Sequence, residues 1–145
     1  MATRTAHTAW IGGLETGSGR AALTSSEIGI YDVSFPKRAA DEADGTTSPE
    51  ELVAAALSSC YAMQFSALAA GAGGTPHHVD VTADVSLGPD PAGGFHLSGI
   101  KLTVRGLIDG VDADGFQQVA QEAKATCPIS KALTGVTITL DAAAE

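Results

Sequence analysis

An uncharged stretch of nineteen residues, positions 52–70, constrains the fold more than any other part of this chain. The four residues before it read Ser-Pro-Glu-Glu, beginning at Ser48. Serine caps helices well, proline suits the first helical position, and acidic side chains stabilise the positive end of a helix. With Glu51 three residues after Ser48, a capping box is expected. The pattern predicts a helix to about Ala70 that ends at Gly71 or Gly73. Its apolar residues lie all round, which predicts burial on more than one side.

The length of this helix is close to the roughly 20 residues that cross a bilayer. It is mostly alanine, however, and it contains four polar residues, which favours a helix buried in protein: Ser58, Ser59, Gln64 and Ser66. The first residues of the chain have no apolar core of the kind found in a secretory signal. We therefore expect a protein without membrane association, located in the cytoplasm, where its thiols are reduced.

The chain has 145 residues, which predicts a single domain, 1–145. With 8 basic and 17 acidic residues its net charge is −9, the wrong sign for binding nucleic acid. Two cysteines exclude a disulfide-dense scaffold. Charged residues make up 17% of the chain, less than the usual 25% or so, which indicates extra buried surface and suggests an oligomer.

Alternating apolar residues and glycine-rich turns predict the other elements. Residues 8–11, 20–24 and 28–33 should form an antiparallel meander, followed by a loop at 35–47. Residues 78–88 and 95–104 predict a long hairpin with a bulge near Ser98-Gly99. A second helix begins at Asp112 or Asp114 and breaks near Cys127-Pro128. A short helix at 129–133 and a strand at 136–140 follow, and the last residues should fray. The order β-β-β-α-β-β-α-α-β predicts an α+β fold.

The two cysteines are the candidates for chemistry. Neither has His or Cys neighbours at metal-ligand spacing, so no metal site is predicted. Cys127 precedes Pro128 at the start of a helix, where free N–H groups stabilise a thiolate. Cys60 lies within the apolar helix, where burial should raise its pKa, so it needs a cation to become a nucleophile. Both could equally be small buried apolar side chains.

The pair Lys37-Arg38 is the obvious source of that cation, and Arg38 is preferred because it stays charged and orients oxygen ligands. Otherwise the pair is simply solvated. Glu50 either stabilises the helix start or belongs to the same site. It lies ten residues from Cys60, about 15 Å along a straight helix, so the two cannot touch within one chain. A second subunit with an antiparallel helix could bring them together.

Two motifs, in this order and at this separation, closely resemble the OsmC/Ohr family, named for osmotic inducibility and organic hydroperoxide resistance. The first runs from Thr-Ser-Pro-Glu-Glu-Leu at 47–52 to Ser-Cys-Tyr-Ala-Met at 59–63, and the second is Ala-Thr-Cys-Pro-Ile-Ser at 125–130. The resemblance covers nearly the whole chain. The long loop before the helix is more similar to the OsmC branch.

This resemblance implies an intertwined homodimer, with antiparallel sheets packed around a long central helix and active sites at the subunit interface. It implies a thiol-dependent peroxidase that reduces organic hydroperoxides to alcohols. By motif position, Cys60 matches the peroxidatic cysteine, Cys127 the resolving one, Glu50 the catalytic glutamate and Arg38 the loop arginine. No bound cofactor is implied, and the reductant is an external dithiol, typically of the lipoyl type.

Apolar side chains near the motifs suggest the walls of a hydroperoxide site, namely Met63, Phe65, Ile129 and Leu133. At least two of these four are more simply explained as core residues. One position departs from the family: many OsmC-type members carry a histidine three residues before the first cysteine, where this chain has Leu57. The departure leaves room for a second function, a redox sensor or binding protein without significant turnover.

Overall fold

Three short strands form the first sheet of the computed structural model, which describes residues 1–145. They are β1 (His7–Ile11), β2 (Ser18–Ala22) and β3 (Ile30–Val33), antiparallel and in the order β1-β2-β3. The predicted meander is confirmed, with ends shifted by one or two residues. The sheet belongs to the first of two units, residues 1–52, and residues 53–145 form the second. The expectation of a single domain stays a prediction.

A short helix, α1 (Phe35–Arg38), follows β3 where the sequence predicts only loop, so that prediction is wrong for these four residues. The Ser34 hydroxyl accepts a hydrogen bond from the Lys37 N–H at 3.2 Å. Pro36 stands in the first turn, where its missing N–H is not needed. Helix α1 therefore positions Arg38, its last residue, within a segment that otherwise has neither helix nor strand.

The long helix, α2 (Pro49–Gly71), is confirmed almost to the residue. Half of the predicted capping box forms, because the Ser48 hydroxyl accepts from the Glu51 N–H at 3.2 Å. The Glu51 carboxylate turns instead to the Thr47 hydroxyl. The helix begins in the first unit and continues through the second.

Only one stripe of α2 is buried in the single chain, and its members recur every fourth residue: Leu57, Tyr61, Phe65 and Ala69. The opposite face is exposed, so the expected burial on more than one side is wrong for the isolated chain.

By length and composition alone α2 could cross a membrane, with a mean hydropathy of 1.5, and 22% of the apolar window is buried.

The second sheet consists of β4 (Thr75–Pro89), β5 (Phe95–Asp109) and β6 (Ile138–Ala144), in that order. The hairpin bulge is confirmed: Ser86 pairs with Gly99 and Leu87 with Leu97, which leaves Ser98 as the extra residue. Strand β6 runs parallel to β5, unlike the antiparallel sheets that were expected. The helical crossover between β5 and β6 makes the parallel pairing possible.

The end of the chain does not fray as predicted. Strand β6 extends to Ala144, and the Glu145 N–H donates to the Gly106 carbonyl at 2.9 Å. The edge of the sheet therefore holds the terminus in place.

Two helices connect β5 to β6, namely α3 (Ala113–Thr126), capped by Asp112, and α4 (Pro128–Ala132). The break at Cys127-Pro128 is confirmed. Phe65 packs on Phe116 of α3 with ring centroids 5.0 Å apart. The Tyr61 hydroxyl, buried, donates to the Ala120 carbonyl at 2.8 Å. These contacts hold α2 against α3, and the α+β class is confirmed.

Candidate active site

The helix break brings the two cysteines together. Cys127 is fully buried between α3 and α4, and Cys60 is half-buried on α2. Their Sγ atoms lie 2.9 Å apart, and both thiols are free. A disulfide needs its sulfur atoms about 2.0 Å apart, so a small movement joins them. The pair can therefore act as a dithiol.

The pKa values of the two thiols are shifted in opposite directions. Burial raises the pKa of Cys60, and the neighbouring Cys127 raises it further. Burial also raises the pKa of Cys127, but the hydrogen bond with Cys60 and the N–H groups of Ser130 and Ile129 outweigh it, so this pKa is lowered overall. Both directions match the sequence predictions. In the single chain, Cys127 is the better thiolate and Cys60 still needs a cation.

A side-chain bridge that the sequence did not reveal ties the two cysteine segments together. Gln64, one turn after Cys60, donates from Nε2 to the Thr126 hydroxyl at 2.9 Å. Thr126 immediately precedes Cys127, and its hydroxyl donates to the Glu122 carbonyl at 2.7 Å. The sequence offered one signal, the amide of Gln64 in an alanine-rich helix. Such an amide is more simply explained as a polar surface residue.

Arg38 and Glu50 form an ion pair in the first unit. The Arg38 Nε–H donates to both carboxylate oxygens at 3.0 and 3.1 Å, and Nη2 donates to Oε1 at 2.6 Å. The side chain of Glu50 is 9% exposed and that of Arg38 is 31% exposed. The hydrogen bonds from Arg38 lower the pKa of Glu50 against the opposing effect of burial. The guanidinium is thereby oriented, and its Nη1 edge is left for an oxygen ligand.

An apolar pocket of about 440 Å³ lies beside Arg38, within the first unit. Its walls include Trp10, Leu14, Phe35 and Leu52. Sequence reasoning missed this pocket, because its residues come from four separate segments that only the folded meander and α1 bring together.

The residues expected to form the walls of a hydroperoxide site are distributed differently. Phe65 is 0% exposed and packs in the core, so in this structure it offers no surface to a ligand. Met63 is 71% exposed on the open face of α2, and Ile129 is half-buried on α4. Leu57, at the position of the frequent family histidine, is also core. No group of three or more His, Cys, Asp or Glu side chains is placed to hold a metal ion.

The four predicted catalytic residues are thus arranged as two pairs. The structure brings Arg38 together with Glu50 in residues 1–52, and Cys60 together with Cys127 in residues 53–145.

Replacing Glu50 with glutamine should destabilise the protein in a pH-dependent way. Because the pKa of Glu50 is lower in the folded state, its contribution is complete above its ordinary value of 4.5 and disappears as the pH falls through the lowered pKa. The stability gap between wild type and Glu50→Gln should therefore be widest near neutral pH and close in acid. Urea unfolding between pH 3 and 7 measures it. Glu51→Gln, which removes an exposed carboxylate, is the control and should give a smaller gap; equal gaps would contradict the assignment.

Comparison with known proteins identifies relatives of this chain. A family model described as OsmC-like protein matches residues 41–141. The chain is 38% identical over 132 residues to the peroxiredoxin OsmC of Escherichia coli strain K12, covering 91% of this chain and 90% of the relative. It is 33% identical over 125 residues to the organic hydroperoxide resistance protein OhrA of Bacillus subtilis strain 168, covering 83% and 85%.

Solved structures share the fold. A crystal structure of an organic hydroperoxide resistance protein from Elizabethkingia anophelis superimposes with a TM-score of 0.78 at 25% identity, covering 100% of this chain and 98% of that one. The names of these relatives support a peroxidase-like role in the family. The chain belongs to the family of OsmC-like proteins.

Proposed function

We propose that this protein is a thiol-dependent peroxidase that reduces organic hydroperoxides to alcohols, as a cytoplasmic homodimer. The observation that carries the proposal is the 2.9 Å separation of the Cys60 and Cys127 sulfur atoms. Two thiols at this distance can accept two oxidising equivalents as a disulfide and return them. The peroxidase-like role of the family adds to that geometry.

In the first step, the Cys60 thiolate attacks one oxygen of the hydroperoxide. The O–O bond breaks, the alkoxide takes a proton and leaves as the alcohol, and Cys60 becomes a sulfenic acid. The raised pKa of Cys60 opposes this step unless a cation is close. We assign that task to Arg38, which Glu50 orients and whose free edge can also bind the distal peroxide oxygen.

We propose that Arg38 acts on Cys60 of the other protomer. Glu50 fixes Arg38 at the first turn of α2, whereas Cys60 lies ten residues further along the same helix, about 15 Å away along its axis. The exposed face of α2 includes Met63 and several alanines, an apolar surface that a second copy could cover. An antiparallel pair of α2 helices would carry each Arg38 toward the partner's Cys60.

The second step forms the disulfide. The Cys127 thiolate attacks the sulfenic sulfur, hydroxide leaves and takes a proton to become water, and the Cys60–Cys127 bond closes. The lowered pKa of Cys127 increases the share of its thiolate, the form that attacks. An external dithiol, which we take to be of the lipoyl type, then reduces the disulfide, and the cycle needs no bound cofactor or metal.

The apolar pocket beside Arg38 suggests the preferred substrate. About 440 Å³ with walls of aromatic and aliphatic side chains accommodates an alkyl or aryl group, while the guanidinium binds the peroxide end. Met63 and Ile129 remain candidates for further contacts. We therefore expect organic hydroperoxides to react faster than hydrogen peroxide, which cannot use the pocket.

A stopped reaction tests the proposal. Reduced protein is mixed with one equivalent of cumene hydroperoxide or of hydrogen peroxide, quenched in acid, and analysed for free thiols and intact mass. Loss of both thiols and of about 2 Da within seconds, faster with cumene hydroperoxide, is the expected result. Thiols that survive minutes of exposure would overturn the proposal. Rapid oxidation without recycling by dithiols would instead favour a redox sensor.

Cys127→Ser should allow the first oxidation and prevent normal turnover. Without the resolving thiol, Cys60 stops at the sulfenic acid, which a sulfenic-specific dione traps, and excess peroxide drives it to the sulfinic acid. Intact mass after one and after ten equivalents of peroxide should show additions of one and then two oxygen atoms. Repeated turnover at the wild-type rate with a dithiol would remove Cys127 from the mechanism.

A further inference from the structure

A buried hydroxyl next to the cysteine pair has no partner. Ser130 is 7% exposed, and its Oγ is enclosed by protein without a hydrogen bond to any group. Burying such a group unpaired is unfavourable, and most buried hydroxyls are paired. A state of the protein in which this hydroxyl gains an acceptor would therefore be specifically stabilised.

The Cys127 sulfur is the acceptor that the local geometry offers. Cys127 occupies the N-cap position of α4, where its side chain makes no capping hydrogen bond, and Ser130 is the third residue after it. At that spacing the N–H and the side chain both face back toward the capping side chain. The N–H groups of Ser130 and Ile129 and the Ser130 hydroxyl lie close enough to the sulfur to lower the pKa of Cys127, although none of them forms a complete hydrogen bond with it in this state. Since the hydroxyl is unpaired beside the thiol, its hydrogen bond is available when the sulfur becomes a thiolate.

The two cysteines also differ in their exposure to solvent. Cys127 is 0% exposed, whereas Cys60 is half-buried. Within one chain, an incoming thiol can therefore approach Cys60 more readily than Cys127. The accessible sulfur and the sulfur that best carries negative charge are different atoms, as directional disulfide exchange requires.

We propose that Ser130 is a catalytic residue of the reductive step: its hydroxyl binds the departing Cys127 thiolate, so the reductant attacks Cys60. This inference rests on the proposed function and assigns the direction of its last step. The dithiol's thiolate bonds to Cys60 Sγ, the Cys60–Cys127 bond breaks, and Cys127 leaves with the electron pair. The second thiol, after losing its proton, attacks the reductant's own sulfur and releases Cys60 as a thiolate. The dithiol ends as a cyclic disulfide, and its two protons pass to the solvent or to the cysteines.

The direction of attack can be observed with a monothiol. Wild-type protein is oxidised with diamide, treated briefly with 2-mercaptoethanol, quenched in acid and alkylated, and the peptides are weighed. We expect the mixed disulfide on Cys60 and the alkyl group on Cys127. A mixed disulfide found mainly on Cys127 would overturn the proposal.

The role of the hydroxyl is tested by Ser130→Ala. Reduction of the diamide-formed disulfide by dithiothreitol should slow by roughly 10-fold, the value of one hydrogen bond to a charged group. In a Cys60→Ser background, the alkylation midpoint of Cys127 should move to higher pH. Stability should stay the same or rise, because an unpaired buried hydroxyl is lost. Ser98→Ala, which removes an exposed hydroxyl from the second sheet, should change none of these.

An unchanged rate of disulfide reduction in Ser130→Ala would refute the role of Ser130. Ser130→Thr keeps a hydroxyl and should reduce at the wild-type rate; a folded Ser130→Thr protein that is as slow as Ser130→Ala would also refute it. Because diamide forms the disulfide without peroxide, a failure of peroxidase activity leaves these readouts intact and is recognised separately. If diamide cannot join the two cysteines, both proposals fail together.

Discussion

Cys60→Ser is expected to abolish peroxide consumption. The serine hydroxyl is far less acidic than a thiol and does not form a stable oxygen adduct, so neither the attack nor the two-electron oxidation can occur. Consumption of cumene hydroperoxide, followed with a ferrous-xylenol orange assay in excess dithiothreitol, should fall to the rate without protein. The fold should persist, because Cys60 is only half-buried and the change replaces one atom.

The same substitution at the other cysteine is the matched control. Cys127→Ser removes an equally sized thiol that lies 2.9 Å away, yet it should still consume one equivalent of peroxide. If Cys60→Ser keeps this first equivalent and Cys127→Ser loses it, the roles of the two cysteines are reversed. The reversed assignment needs this test because the pKa of Cys127 is the one that is lowered in the single chain.

The elements predicted correctly are those whose causes are local. The cap at Ser48 and the uncharged stretch after it are enough to predict α2, and the phase change near Ser98 is enough to predict the bulge. Cys127-Pro128 likewise marks a helix break, because proline restricts the residue before it. Burial in an apolar helix was enough to predict the raised pKa of Cys60, whereas the lowered pKa of Cys127 depends first on its hydrogen bond with Cys60, which comes from a distant segment.

What the sequence could not predict depends on contacts between distant segments. The parallel pairing of β6 depends on a crossover, and the pocket at Arg38 requires the first sheet to be formed. The sequence left Phe65 open between a ligand surface and the core, and the stripe that it shares with Tyr61 faces the core. The 2.9 Å distance between the sulfur atoms is set by how α2 packs on α3, and spacing in the sequence carries no information about it.

Arg38→Ala should slow peroxide reduction by about 100-fold or more, the usual effect of losing a charged group aimed at a reacting oxygen. The alkylation midpoint of Cys60 should also move to higher pH. Because the change leaves Glu50 buried and unpaired, Arg38→Lys is made as well. It keeps the charge but loses the two-pronged hydrogen bond, and should give an intermediate rate.

Lys37→Ala is the matched control for the arginine variants. Lys37 is the neighbouring cation and pairs with the exposed Asp44. Its loss removes the same charge from the same short helix, so general electrostatics should affect both variants alike. A rate that falls as far in Lys37→Ala as in Arg38→Ala would mean that the net charge of α1 matters and the oriented guanidinium does not.

Mixed dimers decide which protomer supplies the arginine. Differently tagged Arg38→Ala and Cys60→Ser chains are co-expressed and purified through both tags. If Arg38 acts on Cys60 of the other protomer, one site of each mixed dimer combines an intact Arg38 with an intact Cys60. Such dimers should recover about half of the wild-type activity per dimer, because one of two sites is complete. If both residues act within one chain, every site lacks one of them, and the activity falls to about half that of the Arg38→Ala dimer. Ten residues of helix between Glu50 and Cys60 favour the first result.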